Sequence, residues 1–207
     1  MEPDFDFDET PFLEPAPDED AWEAYLTLAL DRMGSDGANG LTNAQVLAVE
    51  AAVGATLPFE VGLLLVMGIP DGEGWIDWSA DPAAQIKRWN EWVLEGLRFD
   101  VEHNNFWARP LGRRPAEIAD RITALEAAFD GLPKLFPLHG RQAMPLAIAE
   151  NTTSNSGNPV LSINGTEISV YGYDLAAFLN RDFDVPLPMW PAEDQRHFGF
   201  WSDLADI

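Results

Sequence analysis

Cysteine is absent from this chain of 207 residues. Its absence excludes disulfide bonds, thiolate metal ligands and a cysteine nucleophile. The lack of disulfides is also compatible with a reducing compartment. Histidine is scarce, with three residues in the whole chain, and no Gly-x-Ser-x-Gly nucleophile elbow occurs. The sequence therefore offers little material for nucleophilic or metal-assisted catalysis.

Basic residues are few. Lys and Arg total 12 against 35 Asp and Glu, which gives a net charge of −23 and a pI near 4.1. Nucleic-acid binding relies on Lys and Arg contacts to phosphates, and anionic membrane surfaces also attract basic residues, so we expect neither kind of partner. A strongly negative surface instead attracts basic proteins and speeds their association. The alternative reading is that the acidity serves solubility or reflects an acid-rich proteome.

Long apolar runs are missing as well. The longest, residues 61–67, is far shorter than the roughly 20 residues that a membrane-spanning helix needs. The first residues contain neither the basic stretch nor the apolar core of a secretory signal peptide. These features predict a cytoplasmic protein.

The motifs that mark nucleotide and metal sites are also lacking. Gly34, Gly37 and Gly40 lie in a loop without lysine, and no dinucleotide or P-loop fingerprint is present. The best enzyme-like cluster is residues 100–104, with the sequence Asp-Val-Glu-His-Asn. If this segment is a strand, alternation places His103 on the opposite face from the two carboxylates. We therefore predict no enzyme activity, no cofactor, and no catalytic or metal-binding residues.

What the chain has is enough apolar material for a core. Hydrophobic residues make up 46% of the sequence and aromatic residues 11%, including eight tryptophans. The acidic, proline-containing residues 1–20 are predicted to be a flexible arm, either a solvated terminus or a docking peptide. Residues 21–183 are predicted to form a single domain. Residues 184–207, rich in proline and aromatic residues, are predicted to pack back onto that domain as a tail.

Helix signals dominate the first part of the domain. Apolar spacing predicts a helix over 21–33. Thr42 and Gln45 form a capping-box pattern that opens a second helix, which Gly54 ends. Prolines at the first turn then predict three further helices, which begin at Pro58, Pro82 and Pro115 and end near residues 68, 95 and 131.

Strand signals come later. Residues 135–138 and 143–148 are predicted to be extended, and 160–163 with 167–171 form a hairpin around Asn164-Gly165, which favours a type I′ turn. Asp174 is predicted to cap a last short helix. Helices first and strands later predict an α+β fold, with helices packed on a mostly antiparallel sheet.

Tryptophan and carboxylates define the candidate binding residues. Most tryptophans are expected in the core, but tryptophan is over-represented in binding hot spots, so one or two are candidate anchors. The candidate partner-binding residues are Trp75, Asp77, Trp78, Asp100 and Glu102. A basic neighbourhood, in which either pairing with the surplus carboxylates or contact with an anionic ligand is expected, comprises Arg109, Arg113, Arg114 and Arg121.

Several short motifs follow one another in a recognisable order: Leu41-Thr42, Val49-Glu50, Gly54, Leu57-Pro58, then Gly157-Asn158-Pro159-Val160, and Tyr171-Gly172-Tyr173-Asp174-Leu175-Ala176. This order resembles the SUKH superfamily, which includes the Smi-one/Knr-four cell-wall-synthesis regulators of fungi and many bacterial immunity proteins. The resemblance covers residues 40–183, and the segment 98–104 is similar to a bacterial branch of that group.

The resemblance implies an α+β domain without established catalytic residues. Bacterial members typically bind and neutralise a toxin domain, often a nuclease. Together with the net charge, this predicts a non-catalytic immunity protein whose partner is a basic toxin domain. A regulatory or scaffold protein that binds a cellular partner is the alternative, and the sequence does not define the oligomeric state.

Overall fold

Five helices, four strands and two further helices follow one another in the part of the chain that the computed structural model describes, residues 18–69, 72–148, 155–185 and 196–205. Within these ranges the elements are the helices α1 (Glu19–Arg32), α2 (Asn43–Val53), α3 (Phe59–Met67), α4 (Pro82–His103), α5 (Ile118–Phe129), α6 (Leu175–Phe183) and α7 (Phe200–Ala205), and the strands β1 (Leu135–His139), β2 (Gln142–Pro145), β3 (Val160–Asn164) and β4 (Glu167–Gly172). A short 3₁₀ helix occupies Arg109–Leu111.

The four strands form one antiparallel sheet in the order β1-β2-β3-β4. The α+β prediction is confirmed. Each strand pairs with the next along the chain, so short turns suffice to connect β1 with β2 and β3 with β4.

Side chains of the sheet alternate between two hydrophobic clusters. Phe136 and Met144 join a cluster with α1, α2, α3 and α6, whereas Leu135, Leu161 and Ile163 join a second cluster with α4, α5 and α7. Because successive residues of a strand point to opposite faces, both faces of the sheet are buried. We call α1, α2, α3 and α6 the first layer, and α4, α5 and α7 the second layer.

Local capping signals place most helix starts. The Thr42 side chain accepts from the Gln45 backbone N–H while the Gln45 side chain accepts from the Thr42 backbone N–H, so the predicted capping box is present. Asp81 and Asp174 cap α4 and α6 through their side chains. Three starts differ from the prediction: α1 begins at Glu19 rather than at residue 21, Pro58 is the residue before α3, and α5 begins at Ile118, three residues after Pro115.

Helix α4 extends further than predicted. It continues through Gly96 to His103, so the segment expected to be a strand at Asp100–Asn104 is the last turn and C-cap of a helix. Gly96 stands inside the helix because a Cβ there would come within 3.0 Å of the Gly165 Cα at the tip of the β3–β4 hairpin. Close approach of another backbone is a common reason for glycine within a regular element.

The hairpin turn also differs from the prediction. Asn164 pairs with Glu167 in the ladder, so Gly165 and Thr166 are the two central turn residues. Only Gly165 has a positive φ, +61°. A glycine in the first central position with a positive φ fits a type II′ turn rather than the predicted type I′.

Both ends of the chain contribute to the described structure. Residues 1–17 of the predicted acidic arm lie outside the described residues, whereas Asp18 accepts a hydrogen bond from the Ala21 N–H and caps α1. In the predicted tail, residues 186–195 lie outside the described residues. Phe198, Phe200 and Trp201 are buried, and Trp201 Nε1 donates to the Pro133 carbonyl at 2.7 Å.

Among the described residues, no helix is both long enough and apolar enough to cross a lipid bilayer.

Candidate functional site

Three of the five candidate partner-binding residues line one cavity. Trp75, Asp77 and Trp78 contribute to a cavity of about 510 Å³ on the first-layer side of the molecule. We call it the Trp75 groove; its other walls are formed by Ala38, Asn39, Gly40, Leu41, Gln45, Leu65, Ile69, Gly72, Ile76 and Ser79. Volumes of this size are typical of ligand-binding clefts.

One wall of the groove is the loop between α1 and α2, which is fastened to the end of α3. Ser35 Oγ donates to the Gly68 carbonyl at 2.8 Å, and the Leu41 N–H donates to the Leu65 carbonyl at 2.8 Å. A Cβ at Gly40 would collide with the Val66 carbonyl oxygen. The loop therefore lies directly on α3.

The opposite wall is the segment 72–79, held by aromatic stacking. Trp75 forms an isolated β-bridge with His139 and stacks on Phe183 with ring centroids 5.2 Å apart. Trp78 stacks on Phe136 at 4.9 Å. Gly74 lies under the His139 imidazole, where a Cβ would collide with the ring. Stacked aromatic pairs add to the stability that their buried area provides.

Asp77 supplies the charge of the groove. Its Oδ1 accepts hydrogen bonds from the Ser79 hydroxyl at 2.6 Å and the Ser79 N–H at 2.9 Å, and these bonds lower the pKa of the Asp77 carboxyl. Asp77 is therefore ionised at neutral pH. Among the described residues that line the groove, it is the only charged one, and none is Lys or Arg.

Trp78 is not an exposed anchor. Only 2% of the residue is accessible, because its ring lies between the groove and the hydrophobic cluster of the first layer. Trp75 is partly buried and Asp77 is exposed. Of the three candidates in this region, Trp75 and Asp77 are thus the ones that a partner can reach.

Asp100 and Glu102 do not form a second site together. Asp100 is 9% exposed and its Oδ2 accepts from the Thr166 N–H at 2.8 Å, while Asn104 Nδ2 donates to Oδ1. Glu102 is exposed elsewhere on the helix surface. The strand reading that placed both carboxylates on one face was wrong, because residues two apart on a helix point about 200° apart. Asp100 ties the tip of the hairpin to α4.

The enzyme-like cluster around His103 is also dispersed. His103 stacks on Phe99 with centroids 4.4 Å apart, and its Nδ1 lies 3.0 Å from the Phe99 carbonyl oxygen and 3.8 Å from Glu102. Asp100 faces the hairpin instead. Within the described ranges no three His, Cys, Asp or Glu side chains are grouped so that they could hold a metal ion.

Two of the four arginines in the basic neighbourhood bond to the backbone. Arg114 donates to the carbonyl of Asn105 at 3.2 Å, and Arg121 donates to the carbonyls of Pro115 and Ala116 at 2.9 and 2.6 Å. These two side chains hold the segment between α4 and α5 in place. The sequence analysis expected contacts to carboxylates or to an anionic ligand, not to backbone carbonyls.

Two interacting carboxylates, the buried Glu60 and the partly buried Asp174, were not predicted from the sequence. Glu60 is fully buried and accepts from the Ser156 hydroxyl and the Gly157 N–H, each at 2.7 Å. Burial raises its pKa, and these hydrogen bonds oppose the shift. Burial and the negative charge of Glu60 raise the pKa of Asp174 to about 6, against the opposing hydrogen bond from Ala177. Glu60 is the one charged residue in the apolar run 57–69, which is the signal that could have revealed it.

Charge is distributed unevenly along the chain. Residues 82–129, which include α4 and α5, contain seven acidic and seven basic residues, whereas the remainder contains 28 acidic and five basic residues. The whole net charge of −23 is therefore outside this segment. The Trp75 groove is built from the acidic part.

Comparison of the chain with protein-family models, with curated proteins and with solved structures gave no match.

Proposed function

We propose that this chain is a non-catalytic protein-binding domain of the cytoplasm, an immunity-type protein that binds and neutralises a basic, nuclease-type toxin domain. The observation that carries the proposal is the charge distribution: outside residues 82–129 the chain has 28 acidic and only five basic residues. The resemblance of residues 40–183 to the SUKH superfamily supports the same function.

The physical argument is electrostatic complementarity. A nuclease binds the phosphate backbone with a basic surface, and an acidic protein that covers this surface competes directly with the substrate. Attraction between oppositely charged surfaces raises the association rate, and repulsion between surfaces of like charge disfavours other partners. Such an inhibitor needs no catalytic activity of its own.

The test is binding and rescue. The purified chain is titrated with toxin domains encoded beside its gene, and the same pairs are co-expressed in growing cells. We expect a dissociation constant in the nanomolar range, an association rate that falls as salt rises, and restored growth. Binding without rescue would favour the regulatory or scaffold alternative. If no adjacent toxin binds and none is neutralised, the proposal is wrong.

A further inference from the structure

We propose that the Trp75 groove receives an arginine side chain from the protein partner. This inference rests on the proposed function, because it assumes a basic protein partner, and it names the contact that the partner makes. The side chain of Asp77 would accept the guanidinium hydrogen bonds, and the accessible surface of Trp75 would contact its flat face.

The charge of the groove selects a cation. Asp77 is ionised at neutral pH, and no described lining residue carries a positive charge to neutralise it. A carboxylate offers about four acceptor positions, and the two Ser79 bonds, both to Oδ1, leave Oδ2 available. A positively charged group that enters the groove thus meets an unneutralised carboxylate with open acceptor positions.

The lining selects arginine over lysine. Apart from Asp77, the lining combines the indole rings of Trp75 and Trp78 with aliphatic side chains such as Leu41, and with the polar residues Asn39, Gln45 and Ser79. A guanidinium is planar and weakly hydrated, so it can stack on an aromatic ring and donate to a carboxylate at the same time. A lysine ammonium is compact and strongly hydrated, and it has no flat face that could lie against the indole of Trp75.

The size and the rigidity of the groove fit a protruding segment of a folded partner. A volume of about 510 Å³ accommodates one long side chain together with neighbouring backbone. Both walls are already fixed, one by the hydrogen bonds of Ser35 and Leu41 to α3 and the other by the stacking of Trp78 on Phe136. Because the site is preformed, binding loses little free energy to the ordering of its side chains and loops.

The experiment uses short peptides as probes, so it does not need the toxin. Gly-Gly-Arg-Gly-Gly, its citrulline analogue and its lysine analogue, each with blocked ends, are titrated into the full chain, and binding is followed by indole NMR signals and calorimetry. We expect weak binding of the arginine peptide, about tenfold weaker binding of the lysine peptide, and still weaker binding of the citrulline peptide, which has the same shape without the charge.

Two variants locate the site. Asp77→Asn keeps an acceptor for Ser79 and removes the charge, and we expect it to weaken arginine-peptide binding about tenfold. The matched control is Glu95→Gln, which removes one exposed negative charge on α4 at a residue that does not line the groove. Trp75→Leu is a second groove variant. Thermal unfolding of each variant checks that the fold is retained.

The outcomes separate this inference from the proposed function. Citrulline binding equal to arginine binding, or equal effects of Asp77→Asn and Glu95→Gln, would overturn the arginine site. A toxin that binds the chain with unchanged affinity for Asp77→Asn would also overturn it while leaving the immunity function intact. Selective arginine binding in a chain that neutralises no toxin would support the groove and remove the proposed function.

Discussion

The two layers of helices that cover the sheet differ in the size of the cavities described beside them. In the first layer, short helices joined by glycine-containing loops leave the Trp75 groove of about 510 Å³. The second layer includes the 22-residue helix α4, and a cavity among its described residues, between Trp89 and Trp201, is about 30 Å³. A space of that size holds about one water molecule.

The layers also differ in how they hold buried carboxylates. Asp100 of the second layer accepts hydrogen bonds from Thr166 and Asn104, and it joins helix to hairpin. On the first-layer side, burial raises the pKa of both Glu60 and Asp174, and the negative charge of Glu60 raises that of Asp174 further. The ionised form of each carboxyl is therefore disfavoured in the folded protein. The comparison teaches that the second layer uses its buried carboxylate to join a helix to the hairpin, whereas the first-layer side combines a groove with carboxylates whose ionised form is disfavoured.

The largest expected effect on the free energy of unfolding comes from Trp78, which packs on the first-layer side, and its comparison is Trp92 of the second layer. Trp78→Ala should lower the free energy of unfolding by about 3–5 kcal/mol, because it leaves a cavity beside Phe136. Trp92→Ala on α4 should cost less than about 1 kcal/mol, because 39% of Trp92 is exposed. Urea unfolding of both variants measures the difference. Equal losses would mean that Trp78 is not part of the core.

The next effect tests the helix-to-hairpin connection in the second layer. Asp100→Ala leaves the Thr166 N–H without its carboxylate acceptor, so we expect a loss of about 2 kcal/mol in the free energy of unfolding. Glu102→Ala, two residues away and exposed, should change it by less than about 0.5 kcal/mol. Hydrogen exchange at Thr166 should accelerate in the first variant alone. A similar cost for both variants would contradict the assigned role of Asp100.

The pH dependence of stability tests the strained charges of the first-layer side. The folded state raises the pKa of Asp174 from 3.8 to about 6, so it binds the proton more tightly than the unfolded chain does. The free energy of unfolding should therefore rise as pH falls through about 6, and it should level off near 3.8. We expect a gain of about 1–2 kcal/mol between roughly pH 7.5 and pH 5.

The control for this titration is Asp174→Asn, which keeps a helix-capping acceptor and removes the ionisable group. Its stability should vary less with pH than that of the unaltered chain, and the remaining slope reports Glu60 and the net charge. Identical pH profiles for the two proteins would show that Asp174 does not carry the raised pKa.

The smallest expected changes in the free energy of unfolding concern the N-terminal caps of α2 and α5. Thr42→Ala removes the capping box of α2 and should destabilise the fold by about 1 kcal/mol. Glu117, the N-cap residue before α5, makes no side-chain capping bond, so Glu117→Ser should instead stabilise the fold by about 0.5 kcal/mol. Thermal and urea unfolding measure both shifts. A destabilising Glu117→Ser would indicate that Glu117 has a role beyond the helix start.

Features that depend on near neighbours were predictable from the sequence. The capping box of Thr42, the αL glycine at Gly54 and the Asp174 cap all involve residues within about four positions of one another. The end of α4 was not predictable in this way, because Gly96 looks like a helix stop. Its reason for being glycine is Gly165, which is far away in sequence.

The candidate site was predicted in part. Trp75 and Asp77 lie together in the groove as neighbours in the chain suggest, but the wall opposite them comes from residues 38–41, at the start of the preceding helical pair. Nothing in the local sequence around Trp78 distinguishes a tryptophan that stacks on Phe136 from one that faces solvent.

Composition and short-range pattern were thus sufficient for the order of elements, the α+β class and the negative charge, because helix periodicity, caps and net charge require no knowledge of distant contacts. The burial of Trp78, the hairpin contact of Asp100, the strained Glu60 and the groove depend on packing between elements that are remote in the chain. Ser156 reaches Glu60 across 96 positions and Thr166 reaches Asp100 across 66. Such contacts exist only once the layers close on the sheet, and they decide which of the many carboxylates and tryptophans remain available to a partner.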